Sequence, residues 1–331
     1  MMGVSPVPTR CDPSTIAPLP AAVLTPAAGA PFSVGVSSTQ PSPRFGTALA
    51  GLDTWKLLYR VDPEGLAAGV FDLGHYRATV DRAHGLLGLE GHPSGTTELL
   101  APVDVPAALA AADELADGLG GTFHRVSRVD LTAPHHFRSA AEGRAFFTGM
   151  SVLELPRAHT IARHAPGQPA HSIAWTGATS ARRVARCYDK GLERGTAEPW
   201  LVGRLEDQRR SSSGRTIEVS AWADRGFCRE TFERRFRPMQ AAVDGVHAAS
   251  FPVISQAIAD EARYGYRSVQ EAERLAGSLV LLRGGAGDAY SRSTFYARRA
   301  ALREAGYVLS DGPEGVNVDL AGVFESAISS W

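Results

Sequence analysis

Three short stretches carry the residue types best suited to chemistry: Arg128-Val129-Asp130, Arg186-Cys187-Tyr188-Asp189-Lys190 and Arg204-Leu205-Glu206. In an extended chain, residues two apart share a face. Arg128 and Asp130 then point one way, and Val129 and Leu131 the other. Val184, Arg186, Tyr188 and Lys190 share a face, opposite Ala185, Cys187 and Asp189. Arg204, Glu206 and Gln208 share a face, opposite Leu205. If the three strands are neighbours, one side of a sheet gathers Asp130, Glu206, Tyr188, Lys190 and several arginines. Two carboxylates can hold a hard divalent cation, magnesium or manganese, through oxygen. Such a cation and the arginines can offset the charge of a phosphate and of its transition state. A tyrosine can act as a covalent nucleophile. Its phenol ordinarily ionises near pH 10, so nearby positive charge has to help, and Lys190 stands on the correct face to do so. The same pattern also suits an ordinary sheet whose wet face carries cross-strand Arg–Glu pairs.

The elements that must position these groups read as a mixed α+β chain. Residues 1–43 hold nine prolines and almost no charge, and are expected to be a disordered tail. Residues 44–240 are expected to form the chemical domain, and 241–331 a helical one. Strands are predicted over 54–61, 123–132, 171–176, 183–190 and 201–210, with 76–88 ambiguous. Pro106–Leu119 predicts a helix stopped at Gly120-Gly121. Ser139 and Glu142 match a capping box that opens a helix to about Thr148. His135-His136 read as loop residues.

Bulk composition narrows the classes. The net charge is −1 over 331 residues, so the chain is not globally basic. Residues 181–240, however, hold 14 Arg/Lys against 9 Asp/Glu. Lys56 and Lys190 are the two lysines. Cys11, Cys187 and Cys228 are far apart and make neither a disulfide framework nor a zinc motif. No apolar run reaches the roughly 18–20 residues of a membrane span, and no secretory signal opens the chain. These features predict a cytoplasmic protein with no membrane partner.

The segment 268–309 reads as a helix-turn-helix or winged-helix module. One helix is predicted over 271–282, and a second from Ser291 or Ser293 to Glu304, followed by the strand AGYVL. Ser291–Thr294 would start the second helix, with Arg292, Arg298, Arg299 and Arg303 pointing outward. A recognition helix places such N-terminal side chains, including Ser293 and Thr294, in the major groove. An ordinary surface hairpin with solvated arginines is the competing reading.

The stretch SIAWTGATSARRVARCYDKGLERG followed by VGRLEDQRR, after an earlier RVD, resembles the replication-initiation factors of plasmids and phages, the Rep_trans type of rolling-circle initiator. The resemblance covers roughly residues 50–240. It implies a relaxase-like antiparallel sheet with flanking helices, a divalent metal and a nicking-closing endonuclease reaction at a replication origin. By it Tyr188 is the nucleophile, aided by Arg186 and Lys190. Asp130 and Glu206 are the metal ligands, and Asp53 a third, because members open with an acidic strand. Arg128 and Arg204 would meet DNA. Asp130 lacks a second acidic residue soon after it, so Asp53 or Glu98 would complete the site. His135-His136 are not the His-hydrophobe-His metal motif of the best-known relaxases. Family members commonly act as homodimers.

Two other classes compete. A non-enzymatic repressor or replication accessory factor would use the basic helix alone. A tyrosine recombinase lacks its Arg…His-x-x-Arg…Tyr set here. No GxxxxGK[ST] phosphate loop occurs, so a separate host helicase would be needed to unwind DNA.

Overall fold

The strand at the centre of the protein is β5 (Thr122–His136), whose apolar residues Val129, Leu131 and Ala133 alternate with Arg128, Asp130 and Thr132. On one side it pairs with β1 (Gly51–Arg60), then β4 (Leu86–Gly91), β3 (Tyr76–Asp81) and β2 (Gly69–Leu73). On the other it pairs with β9 (Val202–Arg210), then β8 (Ser180–Asp189), β7 (Ala170–Gly177) and β6 (Ala158–His164). All these pairings are antiparallel. The computed structural model describes residues 50–66, 68–96, 98–153, 158–164, 170–177, 180–195, 199–210, 218–286, 291–310 and 315–331. The tail expected over 1–43 lies outside them. Among the described residues, nine strands make this one sheet.

The helices collect on one face. α1 (Val105–Asp117) and α8 (Leu320–Ser329) pack on β5, and α2 (Ala140–Ser151) packs on β7. α4 (Arg225–Ala242) packs on α8. The core beneath them unites Trp55, Leu57, Leu131, Trp175 and Leu205 of the sheet with Phe146, Phe147, Phe232, Phe236 and Phe324 of the helices. Burying side chains of this size contributes about 1.5–3 kcal/mol each. The close seat of α2 depends on Gly143, because a Cβ there would stand 1.9 Å from the carbonyl oxygen of Trp200. Trp200 itself adopts φ 73°, a left-handed conformation rare for a bulky residue, just before β9.

Local signals set several boundaries. The Ser139 hydroxyl accepts from the Glu142 N–H at 3.2 Å, capping α2. The Glu142 carboxylate turns to the Arg138 N–H (2.8 Å) and guanidinium (2.7 Å) rather than back to Ser139, so the box is half formed. After α1, Gly120 (φ 72°) and the Gly121 N–H on the Ala116 carbonyl (2.8 Å) turn the chain into β5. The ambiguous stretch 76–88 resolves into the hairpin β3–β4. His135 and His136 are not loop residues. β5 continues through them, paired to Gly203 and Val202, and the His135 ring meets Phe137 edge-on.

Beyond α4, β10 (His247–Ala249) pairs in parallel with β11 (Tyr307–Leu309) and antiparallel with β12 (Asn317–Asp319). α5 (Phe251–Tyr264), α6 (Val269–Arg283) and α7 (Arg292–Glu304) share a smaller core of Ile254, Ile258, Leu275, Leu279 and Leu302. No helix among the described residues is long and apolar enough to cross a membrane.

Candidate active site

The face of the sheet opposite the helices carries the reactive groups. Arg204 stands across from Tyr188 and Arg186 across from Glu206 in the β8–β9 ladder. Asp130 stands across from Gln208, and Thr132 across from Glu206, in the β5–β9 ladder. The alternation expected for these three strands is therefore present, and the strands are immediate neighbours.

Asp53 reaches this face by an irregularity. Strict alternation would send it to the core side with Trp55 and Leu57. The β1–β5 register pairs Leu52 with Leu131 and Thr54 with Asp130, leaving Asp53 as the extra residue of a bulge. A bulge re-aims the side chain it contains. Asp53 Oδ1 accepts from Arg204 Nη1 at 2.6 Å, and Oδ2 lies 3.4 Å from the Tyr188 hydroxyl.

Each buried carboxylate has an arginine. Arg186 meets Glu206 Oε1 through Nε at 2.9 Å and Nη2 at 2.6 Å. Arg128 grips both oxygens of Asp130, with Nε to Oδ1 at 3.0 Å, and donates to Glu90 at 2.7 Å. Glu206 Oε2 is buried without a hydrogen-bond partner. Burial, then the charge of Asp130 and that of Asp53, pushes the Glu206 carboxyl up to about 8 against the pull of Arg186. Burial also raises Asp130, with Arg128 and Arg186 opposing. The Tyr188 phenol is raised well above its ordinary range by burial, then by the charges of Glu206 and Asp53, while Arg204 lowers it.

Lys190 does not extend the strand. β8 ends at Asp189, which caps the short α3 (Lys190–Arg194) by accepting from the Leu192 N–H. From that position the Lys190 ammonium pairs with Glu193 and stands 5.7 Å from the Tyr188 ring centre. The Arg186 guanidinium lies 5.3 Å from the same ring. Glu98, the other acidic residue considered, has its N–H bonded to Thr96 Oγ1, with no carboxylate contact to the cluster among the described interactions. Two neighbours escaped sequence reading. Glu90 bridges Arg128 and Lys56, and His92 Nδ1 meets the Asp53 carbonyl oxygen at 2.7 Å. Both lie on or just after β4. The signal that would have found them is the alternation Leu87-Gly88-Leu89-Glu90, which places Glu90 on the polar face.

The acidic residues are oxygen-only donors, which suits a hard divalent cation. Among the described residues, however, no three His, Cys, Asp or Glu side chains form a ready metal-holding group. Both oxygens of Asp53 and of Asp130 already have partners.

At the start of α7, Arg292 and Ser293 are exposed and Thr294 is half-buried. Ser291 Oγ accepts from the Thr294 N–H at 3.3 Å and lies 2.9 Å from Ser293 Oγ. Arg298 and Arg299 do not point outward as expected. Arg298 Nη1 donates to Ser278 Oγ of α6 at 3.4 Å, and Arg299 reaches the Val152 carbonyl while lying over Phe295. Their positions on the helix turn them toward packed neighbours, where the apolar stems find cover.

No known family model and no curated protein sequence matches the chain. Among solved structures, a rolling circle replication initiator protein from Geobacillus stearothermophilus is similar, with a TM-score of 0.31 and 13% identity over 49% of this chain and 74% of that one. A likeness this loose fixes neither fold nor function.

Proposed function

We propose that this protein is a rolling-circle replication initiator that nicks and rejoins origin DNA through Tyr188. The observation that carries the reading is the meeting of a phenol, three carboxylates and three arginines on the face opposite α1, α2 and α8, with the Tyr188 hydroxyl 3.4 Å from Asp53 Oδ2. Catalytic hydrogen bonds are often long before substrate binds. Asp53 takes the phenolic proton. The Tyr188 oxygen then bonds to phosphorus as the bond from phosphorus to the 3′-oxygen breaks, and the 3′-oxygen leaves and takes up a proton. The DNA 5′-phosphate is left on the tyrosine and a 3′-hydroxyl is left to prime synthesis. The reverse displacement closes the strand. Arg186 and Arg204 stabilise the charge that builds on the phosphoryl oxygens.

Asp130 and Glu206 are the residues to hold magnesium or manganese. Glu206 Oε2 is buried without a hydrogen-bond partner, and burial raises both carboxyls, so a cation there would offset the cost of ionising them. Asp53 joins as a third ligand only by giving up Arg204 or Tyr188. When bound, the cation supplies neutralisation of the scissile phosphate.

In this reading Arg128 joins Arg204 in holding the DNA backbone, and α6, α7 and β11 serve as the origin-reading, winged-helix-like module, with Arg292, Ser293 and Thr294 entering the groove. Origin DNA, a separate host helicase and a second copy of the chain are the partners. The test is nicking of supercoiled origin plasmid with Mg²⁺ or Mn²⁺. Tyr188→Phe abolishes the nicked product, and undiminished nicking by that variant removes Tyr188 from its role.

One observation favours a second reading. Tyr188 is 5% exposed, and Asp53 and Asp130 are already satisfied by arginine, as a structural polar network would be. The protein would then bind DNA without cutting it, as a repressor or accessory factor. Sequence-specific binding with no covalent attachment under any metal would favour that alternative.

A further inference from the structure

On the helix-covered side of the sheet, five residues along β8 from Tyr188, three arginines share one carboxylate. Arg183 grips Asp207 with Nε to Oδ1 at 3.3 Å and Nη2 to Oδ2 at 3.0 Å. Arg209 Nε lies 3.5 Å from Oδ2. Arg235 comes from α4, its Nε 3.9 Å from Oδ1 and its Nη2 donating to the Trp175 carbonyl at 3.1 Å. Asp207 is fully buried, while the three arginine side chains are 35%, 22% and 21% exposed, so solvent reaches them.

The charges do not balance. Three guanidiniums face one carboxylate among the described ion pairs, a surplus of two positive charges in a half-buried place. Arg235 Nε and Trp222 Nε1 are buried without a hydrogen-bond acceptor, and Arg209 lies 5.9 Å from the Trp222 ring centre. Burial and mutual repulsion lower the pKa of Arg209 and Arg235. A further anion with several acceptor oxygens would satisfy both the spare donors and the spare charge. Guanidinium forks match phosphate geometry in particular.

We propose that Arg183, Arg209 and Arg235 form a second phosphate-binding site, on the face opposite Tyr188, for a phosphodiester of a nucleic-acid backbone or a free phosphate group. The site does not depend on the nicking reading, and Tyr188→Phe leaves it intact.

The test compares the full-length protein with Arg235→Gln. A labelled thymine oligonucleotide is titrated across a range of salt, and thermal unfolding is followed with and without inorganic phosphate at constant ionic strength. Arg183→Gln, at the most exposed of the three positions, repeats both measurements and covers a folding failure of the first variant. If the site holds a backbone phosphate, the slope of log affinity against log salt falls by about 0.7 in either variant. If it holds free phosphate, phosphate raises the melting temperature of the parent protein and not of the variants, with the oligonucleotide slope unchanged. An unchanged slope together with no phosphate-dependent melting shift in the parent protein overturns the proposal.

Discussion

The hydroxyl of Tyr188 lies 3.4 Å from Oδ2 of Asp53, across 135 residues of sequence, and Oδ1 of the same carboxylate is held by Arg204 at 2.6 Å. One carboxylate thus joins the candidate nucleophile to the candidate phosphate-stabilising arginine. A bulge in β1 turns Asp53 out of the core face to make this contact.

Asp53→Asn therefore has two expected effects. Removing the charge leaves Arg204 buried without its ion-pair partner, a change that costs about 3–5 kcal/mol for a buried pair. It also removes the proposed proton acceptor for Tyr188. Urea unfolding reads the first loss and plasmid nicking the second, at a temperature where the variant stays folded. A variant as stable as the parent would contradict the burial of this pair.

Glu206 sets a pH dependence. Its folded carboxyl is raised to about 8, above the ordinary value near 4.3. The folded state therefore keeps a proton that the unfolded state loses, so this group's contribution to stability is present below about pH 4 and is lost as pH rises toward 8. Metal binding needs the ionised form. Metal-dependent nicking is expected to climb between pH 6 and 8 at limiting Mn²⁺, with the climb moving to lower pH at saturating Mn²⁺. Tyr188 does not titrate in that window, because its phenol is raised above its ordinary range. A profile indifferent to Mn²⁺ concentration would remove Glu206 as a ligand.

Two arginines of α7 should separate cleanly. Arg292 is exposed at the helix start, whereas Arg298 is half-buried and bonded to Ser278. Arg292→Ala is predicted to weaken duplex binding and reduce the salt slope by about 0.9 while leaving stability within about 0.5 kcal/mol. Arg298→Ala is predicted to lower stability by about 1 kcal/mol, with a smaller effect on binding. Anisotropy titrations and urea unfolding on the same two variants provide the check.

The parts of this site legible in the sequence are those governed by strand alternation. Arg128, Asp130, Arg186, Tyr188, Arg204 and Glu206 fall on one face because β5, β8 and β9 are regular where they carry them. What escaped is governed by departures from regularity and by distant contacts. Asp53 could be suspected from resemblance, but its exit from the core depends on a bulge that no local residue pattern marks. Lys190 was expected on the strand face and instead opens a helix, because the Asp189 side chain caps the chain there. Glu90 and His92 lie at the end of β4 and just after it, beyond the stretch 76–88 that reads ambiguously. β10, β11 and β12 are three residues each, too short to show a period. Arg298 and Arg299 looked free on a helical wheel, and only the packing of α6 and the end of α2 shows where they go.

The most direct measurement is mass spectrometry of the protein after incubation with single-stranded origin DNA and Mn²⁺, followed by nuclease and protease digestion. The account predicts a nucleotide phosphate joined to the phenol oxygen of Tyr188, and no such adduct in Tyr188→Phe. Nicking activity with the adduct on another residue, or with no protein–DNA adduct at all, would contradict it.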